Sequence, residues 1–149
     1  MFYGSKNIDS GFFIKTVCKT ESDNQVALTF DDGPVKGQTE KVLDILHNHG
    51  VKATFFCIGK RMQENPDLVK RIEREGHLVS NHSYTHHFLF DMFPFKRMLA
   101  ELMDTNQVIL KVTGKTNLYF RPPYGVTTPV LARAINRSGL AGIGWSVRS

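Results

Sequence analysis

The feature that most constrains the fold of this chain is an alternation of short apolar runs with amphipathic segments along almost its whole length. The apolar runs are typical of buried β-strands, and the amphipathic segments are typical of helices that cover a sheet. Strands that alternate with helices predict a parallel sheet joined by right-handed crossovers. We therefore expect an α/β fold.

The pattern gives each predicted element approximate bounds. Strands are predicted at residues 11–17, 26–30, 53–58, 77–80, 117–120 and 140–145. Helices are predicted at residues 37–49, 66–75, 94–112 and 129–138. Gly50 and Gly76 follow the first two helices and are expected to end them. The apolar residues expected to face the core are Val42, Leu43, Ile45 and Leu46 in the first helix and Met98, Leu102, Val108 and Ile109 in the third.

Three segments with reactive side chains each follow the end of a predicted strand. Asp31 and Asp32 lie in a Thr-Phe-Asp-Asp-Gly-Pro turn, His82 and His86 lie in a His-Ser-Tyr-Thr-His segment, and Arg121 begins an Arg-Pro-Pro-Tyr-Gly segment. Parallel α/β barrels and open α/β sheets place their active sites at the carboxyl ends of the strands. The three segments are therefore expected to meet.

These residue types are the parts of a hydrolytic metal site. One carboxylate and two imidazoles supply three protein ligands for a divalent metal and leave a position open for water, while the second carboxylate is free to act as a base. His82 and His86 converge if their segment forms a helical turn. The alternatives are a plain Asp-Gly-Pro turn and two histidines that are ordinary polar residues. His87 is expected to point elsewhere.

Composition bounds the remaining possibilities. The chain has 149 residues, 41% hydrophobic and 22% charged, which fits one soluble domain with a real core. The net charge of +5 suits either solubility or an acidic surface such as a cell-wall polymer, but no Lys or Arg run is dense enough to indicate nucleic acid. No apolar stretch approaches the roughly 20 residues of a membrane span, and no signal peptide is visible.

Several other residues are given structural interpretations. Cys18 and Cys57 form neither a metal-binding spacing nor a disulfide framework, and Cys57 is expected in the core. His47, His49 and His77 are interpreted as surface or capping residues.

The three reactive segments resemble the first three motifs of the polysaccharide deacetylases, the NodB-homology domain of carbohydrate esterase family four. The resemblance runs from about residue 26 to residue 145. It implies a distorted (β/α) barrel of seven strands that removes N-acetyl or O-acetyl groups from polymers such as peptidoglycan or chitin. It also implies a location in the cell envelope or outside the cell.

The resemblance assigns roles to five of these residues. Asp31 is implied as the general base for the attacking water, and Arg121 as the group that orients it. Asp32, His82 and His86 are implied as ligands of a metal, usually zinc, with cobalt or nickel as substitutes. Acetyl hydrolysis at such a site follows from the ability of a metal to activate water and polarise a carbonyl.

Other implied features are less complete. The backbone N–H of Tyr124 is implied as an oxyanion donor, and Pro123 and Trp145 as walls of the substrate pocket. The fourth motif carries an acid where this chain has Arg148. The fifth motif, a Leu-x-His segment that supplies the general acid, does not occur before Ser149.

The length also bears on the domain. Residues 1–25 are interpreted as an N-terminal arm, and residues 26–149 as a deacetylase domain. At roughly 30 residues per strand-helix unit, 149 residues hold about five units, so the barrel is expected to be truncated at its C-terminal end. The exposed strand edge is expected to allow self-association.

Two other functions stay open. One is a non-catalytic remnant that binds glycan or metal, which the unassigned general acid and the basic charge favour. The other is an amidohydrolase that acts on a small amide, for which the lack of a visible targeting signal leaves room.

Overall fold

One parallel sheet organises the structure. The computed structural model describes residues 13–19 and 24–147. The first two residues of the strand predicted at residues 11–17, and Arg148 of the fourth motif, lie outside the described residues. Six strands form a curled sheet, a partial barrel, in the order β1-β6-β5-β4-β3-β2. The strands are β1 (Thr16–Val17), β2 (Leu28–Gly33), β3 (Ala53–Cys57), β4 (Leu78–Asn81), β5 (Tyr119–Phe120) and β6 (Ala141–Ile143).

Helices connect most of these strands. The α-helices are α1 (Thr39–Asn48), α2 (Gly59–Glu64), α3 (Pro66–Arg74), α4 (Phe95–Thr113) and α5 (Pro129–Ser138). Single 3₁₀ turns lie at Phe90–Met92 and Pro123–Gly125. The predicted alternation and parallel sheet are confirmed. β1 lies within the predicted N-terminal arm and pairs with β6 at one edge of the sheet.

The predicted boundaries are close for most elements. Gly50 and Gly76 follow α1 and α3 with φ angles of 63° and 81°, the left-handed conformation in which glycine commonly ends a helix. The helix α2 was not predicted, because its sequence Gly-Lys-Arg-Met-Gln-Glu has a single buried apolar residue and no amphipathic period.

Two apolar clusters form the core, and α4 contributes to both. Val108 and Ile109 belong to the cluster under β3 and helices α1 to α3, whereas Met98 and Leu102 belong to the cluster around Phe120 and α5. All four of these α4 residues are buried, as their helical spacing predicts. Because α4 joins the two clusters, the residues at its middle are fixed relative to the sheet.

Two burial predictions are wrong. Ile45 is 58% exposed, because the buried stripe of α1 is narrow and consists of Thr39, Leu43 and Leu46. His77 is 6% exposed, because it lies between α3 and β4, where its Nδ1 accepts a hydrogen bond from the backbone N–H of Ala53. Cys57 is fully buried, as predicted, and Cys18 and Cys57 are both free thiols.

The register of the sheet brings the reactive segments together. Asp31 pairs with Phe56, and Cys57 pairs with Asn81, which pairs in turn with Phe120. The next residues along the chain after β4 and β5 are therefore neighbours at the carboxyl edge of the sheet. Within the described part of the chain, no helix is long and apolar enough to cross a membrane.

Candidate active site

A bulge at the end of β2 separates the two adjacent carboxylates. The pairing of β2 with β3 shifts between Asp31 and Gly33, so Asp32 is an extra residue without a partner. Asp32 has a φ of 67°, a left-handed conformation that aspartate tolerates better than most residues. A bulge redirects a side chain. Here the bulge directs Asp31 toward Arg121 and directs Asp32 toward the two histidines.

The histidine segment is an irregular loop and not the helical turn by which the two imidazoles could have converged. Ser83 and His86 have φ angles of 65° and 49°, so the chain turns back on itself between the two histidines. The backbone N–H of His86 donates to Ser83 Oγ at 3.1 Å, which closes the loop. The two imidazoles converge by this reversal, with ring centroids 4.8 Å apart.

Asp32, His82 and His86 form a cluster that fits a single metal ion. Asp32 Oδ1 lies 3.6 Å from His82 Nε2 and 3.2 Å from His86 Nε2. Three ligands of a tetrahedral zinc ion, each about 2.0–2.2 Å from it, stand roughly 3.3–3.5 Å apart. The two distances from Asp32 are close to that spacing, and one potential ligand atom from each residue lies within 4.8 Å of the others, so the triad could hold one metal ion.

The environment of His82 keeps it ready to bind a metal. Its Nδ1 lies 2.8 Å from the carbonyl oxygen of Arg121, a contact in which the Nδ1–H donates and Nε2 keeps its lone pair toward Asp32. Burial lowers the pKa of His82, and His86 lowers it further, although Asp31 and the Arg121 carbonyl act in the opposite direction. The lowered pKa favours the neutral imidazole, the form that binds a metal.

Arg121 is the buried cation of the site. It is 3% exposed, and its Nη1 donates to Asp31 Oδ1 at 2.7 Å and to Thr29 Oγ1 at 2.7 Å. Its Nη2 donates to the carbonyl oxygen of Gly144 at 2.8 Å, and its guanidinium lies 4.1 Å from the centre of the Phe56 ring. This fork fixes Asp31, which keeps one carboxylate oxygen free of the arginine.

A cavity of about 380 Å³ opens over both carboxylates and is walled by Tyr124, Trp145 and Pro122. Tyr124 has a φ of 58°, and its ring packs edge-on against His86 at 4.8 Å. Pro123 is buried behind this wall and does not line the cavity. A second cavity, of about 450 Å³, lies on the α2 side, lined in part by Lys60 and Arg61.

Asp32 and His86 line both cavities, so the triad lies at their junction. Other candidate groups lie elsewhere. The ring of His87 packs on Phe88 and Phe93 and accepts a hydrogen bond from the N–H of Leu89. Burial, and to a smaller extent Asp31, raise the pKa of the Cys57 thiol to about 12, so the thiol is protonated at neutral pH.

Several residues that shape the site were missed at the level of sequence. Thr29 and Gly144 bind Arg121, and Asn81 accepts from the N–H of Ser83 at 2.9 Å. The guanidinium of Arg61 donates to the carbonyl oxygen of Asp32. Glu101 accepts hydrogen bonds from the histidine loop. Among these residues, only Glu101 had a sequence signal of a buried role, because it is an acid next to Leu102, which was predicted to face the core.

A parallel α/β half-barrel in which an Asp-His-His triad that could hold a metal ion lies beside an arginine-paired carboxylate has the parts of a hydrolase. The sequence model of the polysaccharide deacetylase family matches residues 19–143. The chain belongs to that family.

Relatives and solved structures agree with this assignment. The chain is 40% identical over 126 residues to the peptidoglycan-N-acetylmuramic acid deacetylase PdaA of Bacillus subtilis, covering 84% of this chain and 48% of that protein. A family 4 carbohydrate esterase from Streptomyces lividans, solved with acetate, has a TM-score of 0.79 and 38% identity, covering 84% of this chain and 64% of the other.

A third similarity is to a family 4 pseudoenzyme from Bacillus anthracis, with a TM-score of 0.76 and 30% identity over 83% of this chain and 43% of the other. The fold therefore occurs in both enzymes and a pseudoenzyme. The chain spans about half the length of the curated relative from Bacillus subtilis.

Proposed function

We propose that this chain carries the metal-binding and water-activating part of a deacetylase that hydrolyses N-acetyl groups, with O-acetyl groups as a further substrate, on a cell-envelope polysaccharide. Peptidoglycan is the favoured polymer, since the relative from Bacillus subtilis is named for it. The observation that supports this proposal is that Asp31 pairs with Arg121, whereas Asp32 lies beside the two histidines.

Asp32, His82 and His86 are proposed to hold the metal, with zinc as the first choice because two imidazoles and a carboxylate suit it. When bound, such a metal polarises the acetyl carbonyl and makes water a better nucleophile. Asp31, held by Arg121 at 2.7 Å, is proposed to take the proton from the attacking water. The backbone N–H of Tyr124 is proposed to donate to the oxyanion, and Trp145 to bound the pocket.

The two carboxylates provide a direct test. Asp31→Asn is expected to lower acetate release from N-acetylated peptidoglycan or N-acetylglucosamine oligomers by about 10²–10⁴-fold while zinc still binds, because only the base is removed. Asp32→Asn is expected to lower both zinc affinity and acetate release. Equal zinc affinity in the two variants, or full activity of Asp31→Asn, would contradict the proposal.

A non-catalytic glycan-binding role is the second candidate, and the similarity to a family 4 pseudoenzyme supports it. It predicts zinc and polymer binding without acetate release, both by this chain and by a longer form of the protein that contains it. Measurable turnover by either form would exclude it. Self-association through an edge of the sheet, whose outer strands in the described part of the chain are β1 and β2, stays a prediction that sedimentation can test.

A further inference from the structure

We propose that Glu101, on α4, is a positioning residue that holds the histidine loop (residues 82–86) in the shape that lets both imidazoles reach one metal. The proposal rests on the metal-dependent function above. Glu101 is 6% exposed, which is unusual for a carboxylate unless its oxygens are bound. It lies on α4 between Met98 and Leu102, which anchor this helix in one of the two core clusters.

All three side-chain hydrogen bonds found for Glu101 go to this loop. Its Oε2 accepts from the backbone N–H of Tyr84 at 2.9 Å and of Thr85 at 2.8 Å. Its Oε1 accepts from Thr85 Oγ1 at 2.8 Å. Hydrogen bonds to an ionised carboxylate are stronger than those between neutral groups. One buried side chain thus fixes the two residues at the tip of the loop.

The loop needs such support because of its backbone. Ser83 and His86 flank the bound residues, and both have left-handed φ angles of 65° and 49°. Conformations of this kind are strained for residues other than glycine and persist only where the surroundings enforce them. Without Glu101, two backbone N–H groups in a part-buried loop lose their acceptor, and the turn that brings His86 beside His82 loses its main support from α4.

A purely structural role would predict a loss of stability alone, whereas a positioning role also predicts weaker metal binding by protein that is still folded. The test uses the full chain, with the affinity for Zn²⁺ measured by competition with a chromophoric chelator. Glu101→Ala is expected to weaken zinc binding by about 10–100-fold, the usual effect of removing a group that orients metal ligands. Amide exchange at Tyr84 and Thr85 in the metal-free protein is expected to accelerate.

Two variants serve as controls. Thr105→Val removes a buried hydroxyl one turn along α4, whose hydrogen bond goes to the Glu101 carbonyl at 2.7 Å and not to the loop. It is expected to lower stability while leaving zinc affinity unchanged. Glu101→Gln keeps an oxygen for the two backbone N–H groups and an amide donor for the Thr85 hydroxyl, so it is expected to restore most of the affinity.

Parental zinc affinity in Glu101→Ala, or an equal loss in Thr105→Val, would overturn the proposal. If Glu101→Ala does not fold, Thr85→Val removes only the hydroxyl contact, and about threefold weaker zinc binding is then expected; no change would overturn the proposal. Failure of the unsubstituted chain to bind zinc would refute the proposed function instead. The amide exchange rates of Tyr84 and Thr85, measured in Glu101→Gln and Thr85→Val, would still test whether Glu101 stabilises the histidine loop.

Discussion

The two sides of the cavity differ in how firmly they are built. On the ligand side, which comprises Asp32, His82, His86 and the loop between the histidines, His82 is 3% exposed and the loop is bound to α4. On the rim, formed by Tyr124, Trp145 and Val147, Tyr124 is 53% exposed and Val147 is 88% exposed.

This difference separates two tasks. Hydrogen bonds to α4 fix the histidine loop, which suits the proposed metal because metals tolerate little error in ligand geometry. The rim can adapt to a bulky polymer. Changes on the ligand side should therefore alter metal affinity, and changes on the rim should alter KM.

Arg121 touches both sides, so its loss should have the largest effect. Arg121→Met removes the hydrogen bonds of a buried guanidinium to Thr29, Asp31 and Gly144 and is expected to lower the free energy of unfolding by about 3 kcal/mol, since hydrogen bonds to charged groups are the stronger ones. Denaturant unfolding measures this. Arg121→Lys keeps the charge but loses the fork to Thr29 and Gly144, so an intermediate loss is expected. Parental stability of Arg121→Met would contradict the burial and pairing described above.

Gly59→Ala tests the ligand side. The added Cβ would lie 2.5 Å from the Tyr84 ring and 3.1 Å from the Tyr84 Cα, so the histidine loop must move. We expect about tenfold weaker zinc binding together with about 1–3 kcal/mol lower stability. Unchanged zinc affinity, measured by chelator competition, would show that this loop tolerates more displacement than its hydrogen bonds suggest.

Gly125→Ala is the matched change on the rim. Its Cβ would lie 2.5 Å from the Trp145 ring, and its φ of 67° adds strain to any side chain. We expect a several-fold higher KM for an acetylated glycan oligomer, because the tryptophan is displaced, with zinc affinity unchanged. A loss of zinc affinity equal to that of Gly59→Ala would break the distinction between the two sides.

His77 lies outside both regions and should show the smallest effect. Burial lowers the pKa of His77, and Lys52 lowers it further, although Glu75 acts in the opposite direction. Below about pH 6.5 the unfolded chain therefore binds a proton that the folded chain resists, so stability falls as the pH drops through this window and is unaffected above it.

His77→Asn keeps an acceptor for the Ala53 N–H but removes this titration. Its unfolding free energy is expected to depend less on pH between about 7.5 and 5.5 than that of the parent. An identical pH dependence in the two proteins would contradict the direction of the pKa shift. Zinc affinity should be the same in both at pH 7.5.

The sequence predicts the framework better than the local geometry. The strand-helix alternation and the buried face of α4 follow from the spacing of apolar residues, which can be read without knowledge of tertiary contacts. The bulge at Asp32 depends on how β2 aligns with β3, which no local pattern contains. The irregular loop that brings His82 and His86 together was not predictable for the same reason, since spacing alone could not reveal the left-handed residues or the acceptor on α4.

The contacts of Arg121 also have a consequence for how the molecule assembles. Its guanidinium binds Thr29 and Asp31, which precede it by 92 and 90 positions in the sequence. It also binds Gly144, which follows it by 23 positions. Contacts between such distant parts of a chain form late and slow folding. On a ribosome, the contact of Arg121 with Gly144 forms only after β6 has emerged, so the full set of Arg121 contacts is complete only when the strands from β2 to β6 have all been made.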